Sequence, residues 1–377
     1  MMFAKRYVPF VLLLVLGACT TSFGTDVSAD ARTSKNASFV LGVILPLTGS
    51  GSDQGLWSRE GFDLAQEEFA KKGVFVTLVY QDSKGGSPAE AIAGYRAILQ
   101  EKAMPAFFTW GSGVGVALTS LVNQDRVVQM GVATATPKYS TKDDFTYRVF
   151  PSATVEGLFN AQFAFKQGFR TVAVAYIGND YGQGEKDSFI VEFQRLGGRI
   201  LATEELAPAT TDTRSNILKL THQQPDLIFL AAYPQEGVLF LKQLTETNAR
   251  VSVLASTAIL SPTFYSGPSQ GVFVTQQKFD LNRASTRAFV AAYQATYGVQ
   301  PNQPNMYTAR AYDAFMIVAS LLQKCAEKNS ECLRQQLKFM PAYEGASDTI
   351  LFNEYGDLAR VAFEVGIVDQ GTFVVVD

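Results

Sequence analysis

Residues 39–65 read FVLGVILPLTGSGSDQGLWSREGFDLA. The apolar run Phe39–Leu47 is broken by Thr48-Gly49-Ser50-Gly51, and Phe62, Ala65 and Phe69 then recur at helical spacing. An unbroken apolar strand suits a sheet covered on both faces, and the glycines supply the turn into a helix. The same alternation continues outward. Val74–Tyr80 reads as a strand. Ala91, Tyr95, Ile98 and Leu99 line one helix face. Ala106–Thr109 is a short strand, followed by a Gly-rich turn, helix Val116–Val122 and strand Val127–Ala133. This βαβαβα order predicts a parallel sheet with helices on both sides. The pattern restarts after Phe150-Pro151-Ser152: helix Val155–Lys166, strand Thr171–Ile177, a helix marked by Phe189, Phe193 and Leu196, and strand Arg199–Glu205. Helix Arg214–Thr221, strand Leu227–Ala232, helix Glu236–Glu246 and strand Val251–Ser256 complete it. The chain is therefore read as two similar α/β halves joined near residue 151. Each half opens with an apolar strand and a polar, Gly-containing loop: Asp53-Gln54-Gly55 in the first, Asn179-Asp180-Tyr181-Gly182-Gln183-Gly184 in the second. Ligands collect at the carboxyl ends of parallel strands, so two facing halves would set both loops across one cleft.

The 377 residues are 47% hydrophobic and 18% charged, with a net charge of −3. That balance suits a globular chain of two domains and speaks against both disorder and a nucleic-acid partner. One histidine and three cysteines leave little for metal or nucleophile–base chemistry, and no cofactor or metal is expected. His222 falls at a predicted helix end and reads as a solvated residue. Gly111–Gly115 lacks the lysine of a phosphate-binding loop, and Asp82 reads as a turn cap. At the amino terminus, Lys5 and Arg6 precede an apolar run, Tyr7–Leu16, too short to span a bilayer. Leu16-Gly17-Ala18-Cys19 forms a lipobox. The expectation is a signal peptide over 1–18, a lipid on Cys19, and a tether over 19–38, placing the protein on the periplasmic side of a bacterial membrane. Thr20, which is not Asp, leaves the outer membrane open. The remaining pair, Cys325 and Cys332, flanks a polar turn and suggests a disulfide in an oxidising compartment; two free thiols are the other reading.

VILPLTGSGSDQG, YQDSKGGSPAEAIAGYRAIL, NDYGQG, FLAAYPQEGVLFLKQL, AFVAAYQATYG, YTARAYDAFMIVASLL and LFNEYGDL occur in the order and spacing of a known family. The chain resembles the type I periplasmic substrate-binding proteins of ABC transporters, in the branched-chain amino acid branch, over roughly residues 39–369. The resemblance implies two Rossmann-like lobes with parallel central sheets joined by a three-strand hinge. Lobe one would comprise 39–150 plus 284–341 and lobe two 151–280 plus 350–377, with crossovers near 148–153, 275–283 and 342–350. It implies a small-molecule ligand, an ABC permease as partner, and no catalysis; the chain is expected to act as a monomer.

The resemblance also carries site residues. Tyr181 and Tyr233 match the family's ligand-facing aromatics. The family's serines that meet a ligand carboxylate fall near Gly113 and Val114, where only Ser112 keeps a hydroxyl, one position off, and its threonine falls at Ala135, which a one-residue shift would replace by Thr134 or Thr136; the helix start beside them suits an anion. The family's acid, which pairs with the ligand ammonium, falls at Thr257, where Leu254-Ala255-Ser256-Thr257-Ala258 holds no Asp or Glu. A free amino acid is then unexpected unless Glu236 or Asp180 supplies the charge. With Trp57 and Trp110 the loops are rich in rings, which suits an amide, a carboxylate or a cation held by ring faces. The other reading is a regulatory outer-membrane lipoprotein on the same fold, such as an activator of a peptidoglycan synthase.

Overall fold

The computed structural model describes residues 39–376 apart from 102, 103, 248 and 302. The expected signal peptide, Cys19 and the tether lie outside them. Lobe one begins β1 (Phe39–Leu45), α1 (Ser52–Lys71), β2 (Val76–Asp82), α2 (Pro88–Glu101), β3 (Ala106–Trp110), α3 (Ser112–Asp125), β4 (Val128–Ala133) and β5 (Thr146–Arg148). Its sheet has the order β2-β1-β3-β4-β5 and is parallel throughout. The strand period of two decides which residues meet which helices. Phe39, Leu41, Val43 and Leu45 of β1 face one core with Phe62 and Phe69 of α1. Ile44 faces the other, with Tyr95 of α2 and Leu118 of α3.

Lobe two follows: α4 (Ala153–Lys166), β6 (Thr171–Ile177), α5 (Asp180–Arg195), β7 (Arg199–Leu206), α6 (Arg214–Thr221), β8 (Leu227–Ala231), α7 (Pro234–Glu246), β9 (Ser252–Ala255), a 3₁₀ turn (Thr257–Ile259), α8 (Pro262–Tyr265) and β10 (Phe273–Gln277). Ala173, Ala175, Ile228 and Leu230 pack on α6 and α7, while Val172, Val174 and Phe229 pack on α4 and α5. The chain then returns through α9 (Ala284–Tyr297), α10 (Met306–Lys324), α11 (Ser330–Lys338) and the hairpin β11 (Tyr343–Glu344) and β12 (Thr349–Ile350), before β13 (Phe363–Asp369) and β14 (Thr372–Val375). The second sheet runs β14-β13-β10-β9-β8-β6-β7, with β13 antiparallel to both its neighbours. Helix α10 lies close on α1 because residue 61 is glycine: a Cβ there would stand 2.1 Å from the Thr308 carbonyl oxygen. The structure joins Cys325 to Cys332 by a disulfide between α10 and α11.

The chain passes between lobes at residues 149–152, 278–283 and 359–362. The third passage corrects the expectation of 342–350. Ile350 and Leu358 are buried in the core of lobe one, and the Gly356 carbonyl accepts the Arg148 N–H of β5. Residues 350–358 therefore stay with lobe one, and lobe two resumes at β13.

Candidate functional site

The site lies where the carboxyl ends of both sheets meet. At the end of β3, Gly111 adopts φ +95°, a backbone that L side chains rarely take, and turns the chain into α3. Ser112 opens that helix, and its Oγ accepts the N–H groups of Ala135 and Thr136 at 3.2 and 3.1 Å. Ser112 therefore ties the β3–α3 turn to the loop after β4. Thr134 Oγ1 donates to the Gly111 carbonyl at 3.3 Å, and Thr136 Oγ1 accepts the Lys138 N–H. Arg148 braces the loop from beneath: its Nη1 donates to the carbonyls of Thr134 and Thr136, at 3.2 and 2.8 Å. Its Nε and Nη2 fork onto Asp357, both at 2.7 Å. The three predicted hydroxyl residues are thus adjacent and buried, and they hold the loop's shape.

Across from them, Asn179 caps α5 by accepting the N–H groups of Tyr181 and Gly182. Tyr181 stacks on Tyr233, ring centroids 5.3 Å apart, and its hydroxyl bonds Ser256 Oγ at 2.6 Å. Burial pushes both phenols well above their ordinary range. Tyr233 in turn meets Trp110 of lobe one, centroids 6.1 Å apart. Trp57 lies against Tyr307, which stacks on Phe150. Tyr181, Phe150, Tyr307, Ala135 and Ala258 form one apolar cluster between the lobes, with Trp57 and Tyr233 packed against it. Beside it opens a cavity of about 440 Å³ whose lining includes Trp57, Phe150, Thr257, Gln277, Met306 and Tyr307, a size suited to a small ligand. The predicted residues therefore fall into two sets: Trp57 and Thr257 on this cavity, and Trp110, Ser112, Thr134, Thr136, Tyr181 and Tyr233 away from its lining.

Three residues escaped the sequence reading. Gln54, fully buried in the first turn of α1, donates from Nε2 to the carbonyls of Ala258 (3.0 Å) and Leu260 (3.1 Å), bridging the lobes. Its polar loop was visible, but not its reach across the cleft. Tyr307 sits in the first turn of α10, behind the Asn305 cap. The third is Glu156 of α4. Its Oε1 accepts the Thr257 N–H at 2.6 Å, from 101 residues away in sequence. An acid does therefore stand at Thr257, contributed by another element. The two expected alternatives are engaged elsewhere: Glu236 accepts the Ala209 N–H, and Asp180 pairs with Lys138 of lobe one at 2.9 Å. Burial pushes the Glu156 carboxyl up to about 7, against the hydrogen bonding from Thr257. Nearby Glu185 is also fully buried. Burial first, then the Glu156 carboxyl, pushes it well above the carboxylate range. Among the described residues no cluster of His, Cys, Asp or Glu could hold a metal ion, and no helix is long and apolar enough to cross a membrane.

Relatives carry the same architecture over nearly the whole length. A Leu/Ile/Val-binding protein homologue of Brucella melitensis is 23% identical over 97% of this chain and 98% of its own. A leucine-binding protein of Thermotoga maritima superposes with a TM-score of 0.83 at 25% identity, covering 90% of this chain and 98% of that one. A solute-binding protein of an ABC transporter from R. palustris, solved with benzoate, has a TM-score of 0.79 at 15% identity, covering 90% and 96%. The family model described as periplasmic binding protein matches residues 38–368. Two α/β lobes meeting on one aromatic cluster, with this match across them, place the chain in the periplasmic binding protein family.

Proposed function

We propose that this chain is a lipid-anchored extracytoplasmic solute receptor that closes on a small amino-acid-like, amide or carboxylate ligand and delivers it to an ABC importer. The observation that carries this reading is the shared site. Lobe one contributes Trp57 and Tyr307, and lobe two Tyr181 and Tyr233, to one interlobe cluster, Trp57, Tyr307 and Thr257 line the cavity beside it, and Trp110 and Gln54 reach across from lobe one to Tyr233 and to the carbonyls of Ala258 and Leu260. A ligand that touches both lobes stabilises the closed arrangement by its differential contacts, and closure excludes water from it. The lipobox at Cys19 supports the anchor, which several acyl chains would make stable.

A thermal-shift screen of the full-length chain tests the reading, with amino acids, amides, aromatic and aliphatic carboxylates and quaternary amines. A ligand at a hundred times its Kd adds about 2.7 kcal/mol to the folded state, so one chemical class should raise the Tm. A folded protein that responds to no class refutes the solute-receptor reading. Mass spectrometry of protein purified from membranes should find Cys19 acylated; an unmodified Cys19 refutes the anchor.

A further inference from the structure

We propose that the interlobe cavity selects an uncharged solute, a carboxamide carried on an apolar body, and that Gln277 and Gln303 supply the donors that read its oxygen. The inference rests on the solute-receptor reading and narrows its ligand class. Among the described residues that line this cavity, none is an acid, a lysine, an arginine or a histidine. Burial pushes the lining phenols of Tyr265 and Tyr307 above their ordinary value, so they stay neutral. The apolar walls include Leu260 of lobe two, Met306 of lobe one, and Phe279 and Leu281 of the second crossing between them. A carboxylate or ammonium that leaves water for such walls finds no counter-charge, and its desolvation costs far more than neutral hydrogen bonds return.

Two buried amide nitrogens on this lining, Gln277 Nε2 and Gln303 Nε2, have no hydrogen-bond partner among the described residues. Gln277 is only 2% exposed, and its orientation is fixed from behind. Arg310, itself buried in α10, donates from Nε to Gln277 Oε1 at 3.2 Å. A guanidinium has donors only, so the amide oxygen must face it and the nitrogen must face away. Burial lowers Arg310 to about 10, which leaves it a cation at neutral pH, and Asp313 and Asp348 answer its charge. Gln303 is held in a similar way, its Oε1 accepting the Thr308 hydroxyl at 2.9 Å. Buried N–H groups are normally paired, so two unmet ones on one cavity specify an acceptor on its occupant. Thr257 Oγ1, on the same lining, has lone pairs for an N–H in return. A carboxamide offers both the oxygen and the N–H without charge. A carboxylate lacks the donor, and an ammonium lacks the acceptor.

Calorimetry on the full-length chain at neutral pH tests this with one apolar body carrying three heads: 4-methylpentanamide, 4-methylpentanoate and 4-methylpentan-1-amine, with L-leucine as the zwitterion. The amide should bind at least about tenfold more tightly than each charged probe. Gln277→Glu keeps an oxygen for Arg310 and puts a second oxygen where the donor stood. It should weaken the amide by about a hundredfold without weakening the amine, a split that a merely structural role would not produce. Should that variant not fold, Gln303→Leu removes the other donor and should weaken the amide by about tenfold. A charged probe or L-leucine that binds as tightly as the amide overturns the inference, as does amide binding indifferent to both variants; either result leaves the solute-receptor reading intact. Binding of none of the four probes also overturns it, and the panel screen then decides the broader reading separately.

Discussion

Gln54 offers the sharpest test of how the lobes are held together. Its Nε2 donates to two lobe-two carbonyls, Ala258 and Leu260, from a fully buried position. Replacing it with leucine keeps the bulk, removes both hydrogen bonds and leaves two carbonyls facing hydrocarbon whenever the lobes are shut. In an opened molecule those carbonyls are free to meet water, so the substitution acts on the closed state. A net loss of ~1 kcal/mol per bond, with desolvation of the orphaned carbonyls added, amounts to about 2–4 kcal/mol. That is roughly 30- to 1,000-fold in the open-to-closed ratio, and affinity for a ligand that needs the closed form falls in proportion to the closed fraction, at most by that factor. Lys138 and Asp180 also bridge the lobes, but their side chains are 64% and 30% exposed. Water and salt screen such a pair, so Lys138→Ala should move the equilibrium little. Spin labels at exposed Ala97 and Ser215, one on each lobe, report the interlobe distance by pulsed electron resonance. Gln54→Leu should broaden and lengthen the distribution, and Lys138→Ala should leave it near wild type. An unchanged distribution in Gln54→Leu, or an equal change in Lys138→Ala, refutes the reasoning.

Other consequences follow from the same contacts. Glu156 has its folded-state carboxyl raised from 4.5 to about 7, so between those values the folded state binds more protons than the unfolded one, and stability falls as pH rises. Urea unfolding should show this loss, a few kcal/mol in size, and Glu156→Gln should reduce it to the part carried by the likewise buried Glu185. Arg148→Met breaks the fork onto Asp357 and releases the Thr134 and Thr136 carbonyls. Stability should drop by about 3 kcal/mol, and ligand binding should weaken because the site loop loses its brace. Removing the Cys325–Cys332 link, which closes a loop with a sequence separation of 7, should cost about 2 kcal/mol in the chain-entropy account. It is measured as a lower urea midpoint of the double serine variant, with ligand affinity unchanged. Gly61→Val drives a side chain into the Thr308 carbonyl and should lower the Tm by prying α1 from α10.

Much of the fold is local and could be read as such. Strand β1 is seven residues of apolar sequence, and its period of two sends Leu41 and Val43 to one core and Ile44 to the other. Asn179 and Asn305 cap their helices by bonds that span two or three residues. Such signals lie within one turn or one pleat, so a linear reading reaches them. The resemblance names Tyr181 and Tyr233 as ligand-facing; the structure stacks them on each other at the lobe interface, outside the cavity lining. The third crossing failed because residues 351–358 make no regular element beyond an isolated bridge between Phe352 and Leu358. The burial of Ile350 and Leu358, the Arg148–Asp357 pair and the Gly356 carbonyl on the Arg148 N–H bind them to lobe one. The charge of the site shows the limit most clearly. Linear sequence placed Thr257 where an acid was expected and found none nearby. The fold brings Glu156 to that backbone from 101 residues away, and burial then decides its protonation. A sequence specifies which carboxylates exist. Which one stands in a cleft, and how strongly it resists ionising, depends on desolvation and neighbours that only packing assembles.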